Sequence, residues 1–116
     1  MARHIAPSDL RVALRGVLRS GTALVEYFYG ARDPVVARTV DRAARWLMRH
    51  GHADVAVFCV DMAQDTAGAL DRLRVRVLPQ PTTVALYRQL GQRTQLWAGQ
   101  ATCPSALVHA ALSSPR

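Results

Sequence analysis

Two cysteines, four histidines, a glutamate inside an apolar run and a file of arginines are the side chains of this chain with chemistry to offer. Cys59 lies between Phe58 and Val60, where a free thiol behaves as a small core hydrophobe. Cys103, between Thr102 and Pro104 at the expected start of a helix, is the candidate reactive thiol, because a helix N-terminus can lower a thiol's pKa. It has no adjoining cysteine or histidine, so the chemistry it could support is monothiol exchange. The cysteine spacing is neither that of a disulfide framework nor that of a metal site; a bridge between them would need their Cα atoms within about 7 Å. His4, His50, His52 and His109 show no ligand spacing, and the pair in His50-Gly-His52 does not by itself close a coordination shell. No metal and no cofactor is expected.

The arginines are the other chemical signal. All fifteen basic residues are arginine, against eight acids, for a net charge of +7. The absence of lysine reads as the codon bias of a GC-rich genome, which weakens any site-by-site argument for guanidinium geometry. The positive charge itself favours anionic partners or an acidic protein surface. Arg38, Arg42, Arg45 and Arg49 recur at three- and four-residue steps and form a basic face of one helix. With Arg72, Arg74 and Arg76 they could make a nucleic-acid surface. The chain lacks the basic-aromatic interleaving that single strands require, so nucleic acid is the lesser expectation.

The elements that must position these groups follow from apolar spacing and breaks. At 116 residues, half of them hydrophobic, the chain makes one domain. No apolar run reaches the length of a bilayer span, and Met1 to Pro7 has no apolar core of signal-peptide type. A reducing, cytoplasmic setting is expected. Ser8 or Asp9 can cap a helix carrying Leu10, Val12, Ala13, Leu14, Val17 and Leu18, stopped at Ser20-Gly21. Thr22 to Tyr29 is almost continuously apolar and β-prone, the pattern of a strand covered on both faces. Asp33 and Pro34 then supply an N-cap and a first helical residue. The helix from Pro34 to His50 places Val36, Val40, Ala43, Ala44 and Leu47 on one side, and Gly51 ends it. Asp54 to Asp61 is a second buried strand, and Gln64 to Leu73 a short helix.

Pro81-Thr82 opens an alternating strand, where proline removes no needed ladder bond. Val84 and Leu86 face one way and Thr83, Ala85 and Tyr87 the other. Gln80-Pro81 is a candidate cis bond. Gln89 to Gln92 turns the chain into a hairpin partner, Arg93 to Ala98, broken by Gly99. Thr102 caps a last helix with Ala106, Leu107, Ala110 and Ala111 as its stripe, and residues 113–116 are a short tail. The whole predicts a mixed four- to five-stranded sheet between helical layers, an α/β three-layer sandwich, with a short first strand at Arg3 to Ala6.

This order resembles the thioredoxin-like family over about Ser8 to Leu112. Leu24-Val-Glu-Tyr-Phe28 is similar to the family's central strand, Val57-Phe-Cys-Val-Asp61 to its third strand, Gln80-Pro81-Thr82 to its cis-proline motif, and Gly99 to a glycine before its last helix. Arg32-Asp33-Pro34-Val35 stands where the family has Cys-Gly-Pro-Cys: the proline is kept and both cysteines are absent. The family's chemistry needs a thiolate at the helix N-terminus, so dithiol oxidoreductase activity is not expected. Glu26 matches the family's buried acid, here without a cysteine to serve, and is expected to be structural; it is either held by a buried partner or water, or sits at an edge of the core with its carboxylate wet. The resemblance also implies a groove that grips an extended peptide, made by Tyr29, Arg32, Asp33, Gln80, Pro81 and Thr82. The expectation is a redox-inactive protein-binding module, an accessory chaperone or small subunit of a larger assembly, similar in outline to bacterial hydrogenase-maturation proteins that lack the cysteine pair. Monothiol exchange through Cys103 and anionic-polymer binding by the basic helix are the alternatives.

Overall fold

A computed structural model of the chain describes residues 2–19, 21–50, 55–64, 82–90 and 93–100. The expected helix beyond Gln64, the Gln80-Pro81 bond, Cys103 and the last helix lie outside these residues. Five strands and two helices are defined: β1 (Ala2–His4), α1 (Leu10–Val17), β2 (Thr22–Phe28), α2 (Pro34–Arg49), β3 (Val55–Asp61), β4 (Thr82–Leu90) and β5 (Arg93–Gln100). The sheet runs β1-β3-β2-β4-β5. β1, β3 and β2 are parallel to one another, while β4 is antiparallel to both β2 and β5. No helix among the described residues is long and apolar enough to cross a membrane.

The two parallel crossovers put their helices on opposite faces of the sheet. On one face Leu10, Leu14 and Leu18 pack with Ala23, Val25, Tyr27, Phe58, Val60, Ala85 and Tyr87. On the other, Val40, Ala43, Ala44 and Leu47 of α2 pack with Leu24, Val57, Val84 and Leu86. The period-2 alternation of strands sorts each side chain to its layer, and the three-layer α/β sandwich predicted by the pattern is what forms. β2 is buried at every one of its positions, which explains why it carries almost no polar residues.

Local details differ from the sequence pattern. Neither Ser8 nor Asp9 caps α1 through its side chain; the helix is entered from a 3₁₀ turn, Pro7–Asp9, whose first carbonyl accepts the N–H of Leu10. Val12 is not part of the buried stripe and is 72% exposed, because it lies about 200° around the helix from both Leu10 and Leu14. Gly99 does not end the last strand. It stands opposite Val84 inside a ladder that continues to Thr83 and Gln100, since the ladder is made by backbone groups that glycine retains. β1 begins one residue earlier and ends two residues earlier than the expected Arg3 to Ala6, in register with Val57 to Cys59.

Among the described residues, a buried side-chain hydrogen bond on the α1 face joins two tyrosines. Tyr27 and Tyr87 reach toward each other past Val25 and Ala85, hydroxyl to hydroxyl at 2.6 Å. Burial pushes both phenols up, Tyr87 to about 12. The pair ties β2 to β4 at a point where phenylalanine would bury as much ring but leave no polar atom. Tyr27→Phe should cost about 1–3 kcal/mol, because the Tyr87 hydroxyl is left buried and unpaired. The double variant Tyr27→Phe/Tyr87→Phe should recover most of that loss in urea denaturation; a double variant less stable than the single would show that the hydroxyls have other partners.

Candidate functional site

The site forms where β1, β3 and β2 end, in the position where open α/β sheets hold ligands. Parallel register sets His4 beside Cys59, and Cys59 beside Glu26. All three lie on the face covered by α2, because they share the strand period of Leu24 and Val57. Glu26 is fully buried within this apolar layer. A carboxylate there is tolerated only when a cation and hydrogen-bond donors answer it.

Arg32 answers it from the loop that follows β2. Its Nε lies 3.0 Å from each Glu26 oxygen. Its Nη2 lies 2.9 Å from Oε1, near enough for an ion pair but not aligned as a hydrogen bond. The Arg32 side chain is 19% exposed and the carboxylate is not exposed at all, so the guanidinium closes the outer end of a buried charge. Burial works against the charged guanidinium, but the hydrogen bonds and the charge of Glu26 outweigh it, and the net effect holds Arg32 even more firmly protonated. Asp41 of α2 adds to that attraction; its Oδ1 is buried without a hydrogen-bond partner among the described residues.

The backbone that delivers Arg32 is fixed at three points. Gly30 turns at φ 76°, a left-handed conformation that glycine adopts without strain. Its N–H donates to Asp61 Oδ1 at 2.9 Å, and the same oxygen accepts the Ala63 N–H at 3.0 Å. Asp61 thus ties the end of β3 to the loop after β2. Asp33 caps α2 by accepting the Val35 N–H at 2.8 Å, with Pro34 in the first turn, as the sequence predicts.

Next to the ion pair, Cys59 is buried. Desolvation pushes its thiol up to about 11; the nearby Arg32 charge pulls the other way, while Glu26 and Asp41 push further up. The thiol is therefore protonated at neutral pH and poorly nucleophilic. A cleft of about 360 Å³ opens above it, lined by His4, Phe28, Arg32, Cys59, Asp61 and Gln64 among others. The start of α2 presents a guanidinium locked onto a carboxylate and, at Val35, a 61% exposed aliphatic group. Neither is a nucleophile. No group of three or more metal-ligating side chains is found among the described residues; His50 gives Nδ1 to the Trp46 carbonyl at 2.8 Å and stacks on the Trp46 ring.

The residues singled out from sequence separate into groups. Tyr29 is 58% exposed at the end of β2, one position beyond the Phe28–Thr82 pair that starts β4. Asp33 is exposed at the start of α2. Gln80 and Pro81 lie outside the described residues. The Arg32 guanidinium bonds Glu26, with its side chain 19% exposed. Sequence reasoning left this pairing open: Glu26 was read as structural with an unnamed partner, and Arg32 as a contact for something else. The signal was there in an acid stranded in an apolar strand and a cation six residues later. Asp61 as a tether carried no comparable signal.

Removing Arg32 alone should strand the buried carboxylate. Arg32→Ala is expected to lower stability by roughly 3 kcal/mol, and Arg32→Ala/Glu26→Leu to recover most of it, in chemical denaturation; equal losses in the two variants would refute the pairing. Alkaline pH should also weaken the fold. Below about pH 9 Cys59 and Tyr87 are protonated folded or unfolded. Above it the unfolded chain releases protons that the folded chain keeps up to about 11 and 12. Stability present below pH 9 is therefore lost as pH rises through 11, by a few kcal/mol at most. A urea midpoint unchanged between pH 8 and pH 11 would contradict the burial of both groups.

No protein-family model and no curated protein sequence matches the chain. Solved structures do match its shape. Chloroplastic thioredoxin z superposes with a TM-score of 0.61 at 19% identity, covering 97% of this chain and 96% of that one. Deadhead, a germline-specific thioredoxin of Drosophila melanogaster, gives a TM-score of 0.62 at 16% identity, over 99% of this chain and 100% of its own. The Trx4 domain of ERdj5 gives 0.57 at 18% identity, with 97% and 96% covered. Likeness at this level of identity speaks to architecture alone, and on it the chain has a thioredoxin-like fold.

Proposed function

We propose that this thioredoxin-like domain is redox-inactive and works by binding protein, as an accessory chaperone or a small subunit of a larger assembly in a reducing, cytoplasmic setting. The observation that carries the reading is the Arg32–Glu26 ion pair. It fills the region at the start of α2 where dithiol chemistry would require a thiolate, and it engages the buried acid with a guanidinium. Cys59, the other thiol-bearing group nearby, is held protonated in the core. What remains available for recognition is a surface: Tyr29, exposed one position beyond the Phe28–Thr82 pair, and Asp33, exposed at the start of α2. With Gln80 and Pro81 they would make a groove for an extended peptide, whose backbone can pair beside the proline and gain affinity without covalent chemistry. Arg32 contributes to that groove from behind, by fixing the loop that presents Tyr29 and Asp33.

Two assays test the reading together. In an insulin-reduction assay the protein should add nothing to the rate given by dithiothreitol alone. A tagged protein should retain its partner from native cells whether or not reductant is present in the elution. Tyr29→Ala, at an exposed position, should cut that retention by about tenfold while leaving the denaturation midpoint unchanged. A partner released only by reductant, or insulin reduction abolished by Cys103→Ser, would replace this reading with monothiol exchange.

A further inference from the structure

The outward face of α2 carries four charges that nothing described in the domain uses. At 3.6 residues per turn, Arg38, Arg42, Arg45 and Arg49 fall within about 60° of arc and form a file about 16 Å long. It lies opposite Val40, Ala43, Ala44 and Leu47, which pack on the sheet. All four arginines are exposed. Their helical neighbours are mostly one another: Arg38 with Arg42, Arg42 with Arg45, and Arg45 with Arg49 stand at the three- and four-residue spacings where like charges destabilise a helix. Asp41 has the spacing to relieve Arg38 and Arg45, but its Oδ1 is turned into the protein. The single ion pair among the described residues is Arg32–Glu26. The file is thus kept against its own repulsion, with no internal counter-charge among the described residues.

We propose that this face of α2 docks an acidic segment of a partner protein, one that presents carboxylates at helical spacing. The inference rests on the protein-binding reading above but uses different residues. Protein is favoured over a phosphate polymer on two observations. Val35, 61% exposed, lies about one turn before Arg38 at the N-terminal end of the file, and Met48, 37% exposed, flanks its C-terminal end about 100° around the helix from Arg49; both offer apolar contact that side chains can meet and a phosphate backbone does not. The aromatic nearest the file, Trp46, is half-buried and its ring is covered by His50 at 3.8 Å, so it provides no open platform on which bases would stack. A straight file of guanidiniums suits the carboxylate row of one facing helix.

The test uses the full chain and fluorescence anisotropy. The probes are a labelled helical peptide of about 20 residues with glutamates at three- and four-residue steps, and single- and double-stranded DNA of matched charge. Two charge reversals are compared: Arg42→Glu/Arg45→Glu on α2, and Arg11→Glu/Arg15→Glu at exposed positions of α1, which change net charge equally. The unaltered protein should bind the peptide more tightly than either DNA, with affinity falling as salt rises. The α2 reversal should weaken peptide binding by about tenfold or more and the α1 reversal by less than about twofold, with circular dichroism unchanged in both. Equal losses from the two reversals, or tighter binding of DNA, would overturn the proposal. Tyr29→Ala separates it from the groove: peptide binding unchanged by the α2 reversal while native-partner capture still depends on Tyr29 sinks the acidic docking alone. Capture that ignores Tyr29 while the α2 effect holds sinks the groove alone.

Discussion

A carboxylate with no water around it must be answered by positive charge or give up its own, and Glu26 is answered by Arg32. Much of the site's form follows from that requirement. The guanidinium has to arrive from a short loop, which needs the left-handed turn at Gly30. The loop has to be held, which Asp61 does through the Gly30 N–H. α2 has to start immediately afterwards, which Asp33 and Pro34 arrange. Mutual attraction in a poorly hydrated site offsets a desolvation cost that would otherwise amount to several kcal/mol per ion. An electrostatic necessity in the core thereby sets the shape of a surface loop.

The start of α2 carries this pair and, among the described residues, no thiol. Thiolate activation at a helix N-terminus needs an unoccupied dipole and unengaged N–H groups beside a sulfur. Here the first turn of α2 spends its N–H on Asp33, its neighbour is a bound guanidinium, and the nearby sulfur of Cys59 is buried with its pKa raised. The fold is a thioredoxin-like scaffold whose charges have been rearranged around stability at this corner.

The layers were legible in the sequence because they depend on apolar spacing. Thr22 to Tyr29 reads as a strand covered on both faces; Thr22–Phe28 forms it and is buried throughout, while Tyr29 falls beyond its end and is exposed. Asp33-Pro34 reads as a helix start and is one. What failed to read out depends on geometry between distant residues or on backbone alone. Val12 is apolar yet exposed, because membership in a stripe is a matter of angle. Gly99 looks like a breaker yet sits in the ladder opposite Val84, because pairing is decided by the partner strand. At the site, Glu26 was recognisable as anomalous, but the loop turn that brings Arg32 back onto it has no residue-by-residue signature beyond Gly30. Asp61 looked like the end of a strand, and its role appears only once β3 is beside β2.

The place of β2 in the sheet has a consequence for how the domain is made. β2 pairs with β3 after a helical crossover and with β4 only after a much longer excursion of chain. Local pairings form first, because loop closure grows costlier with length and non-local contacts slow folding. β4 and β5 can join as a hairpin by themselves, yet until they dock, one edge of β2, the strand buried at every position, stands open. An unpaired apolar strand edge is a template for other chains. The interval between completion of β3 and arrival of Thr82–Leu90 is thus the one in which the folding domain is most open to pairing with other chains.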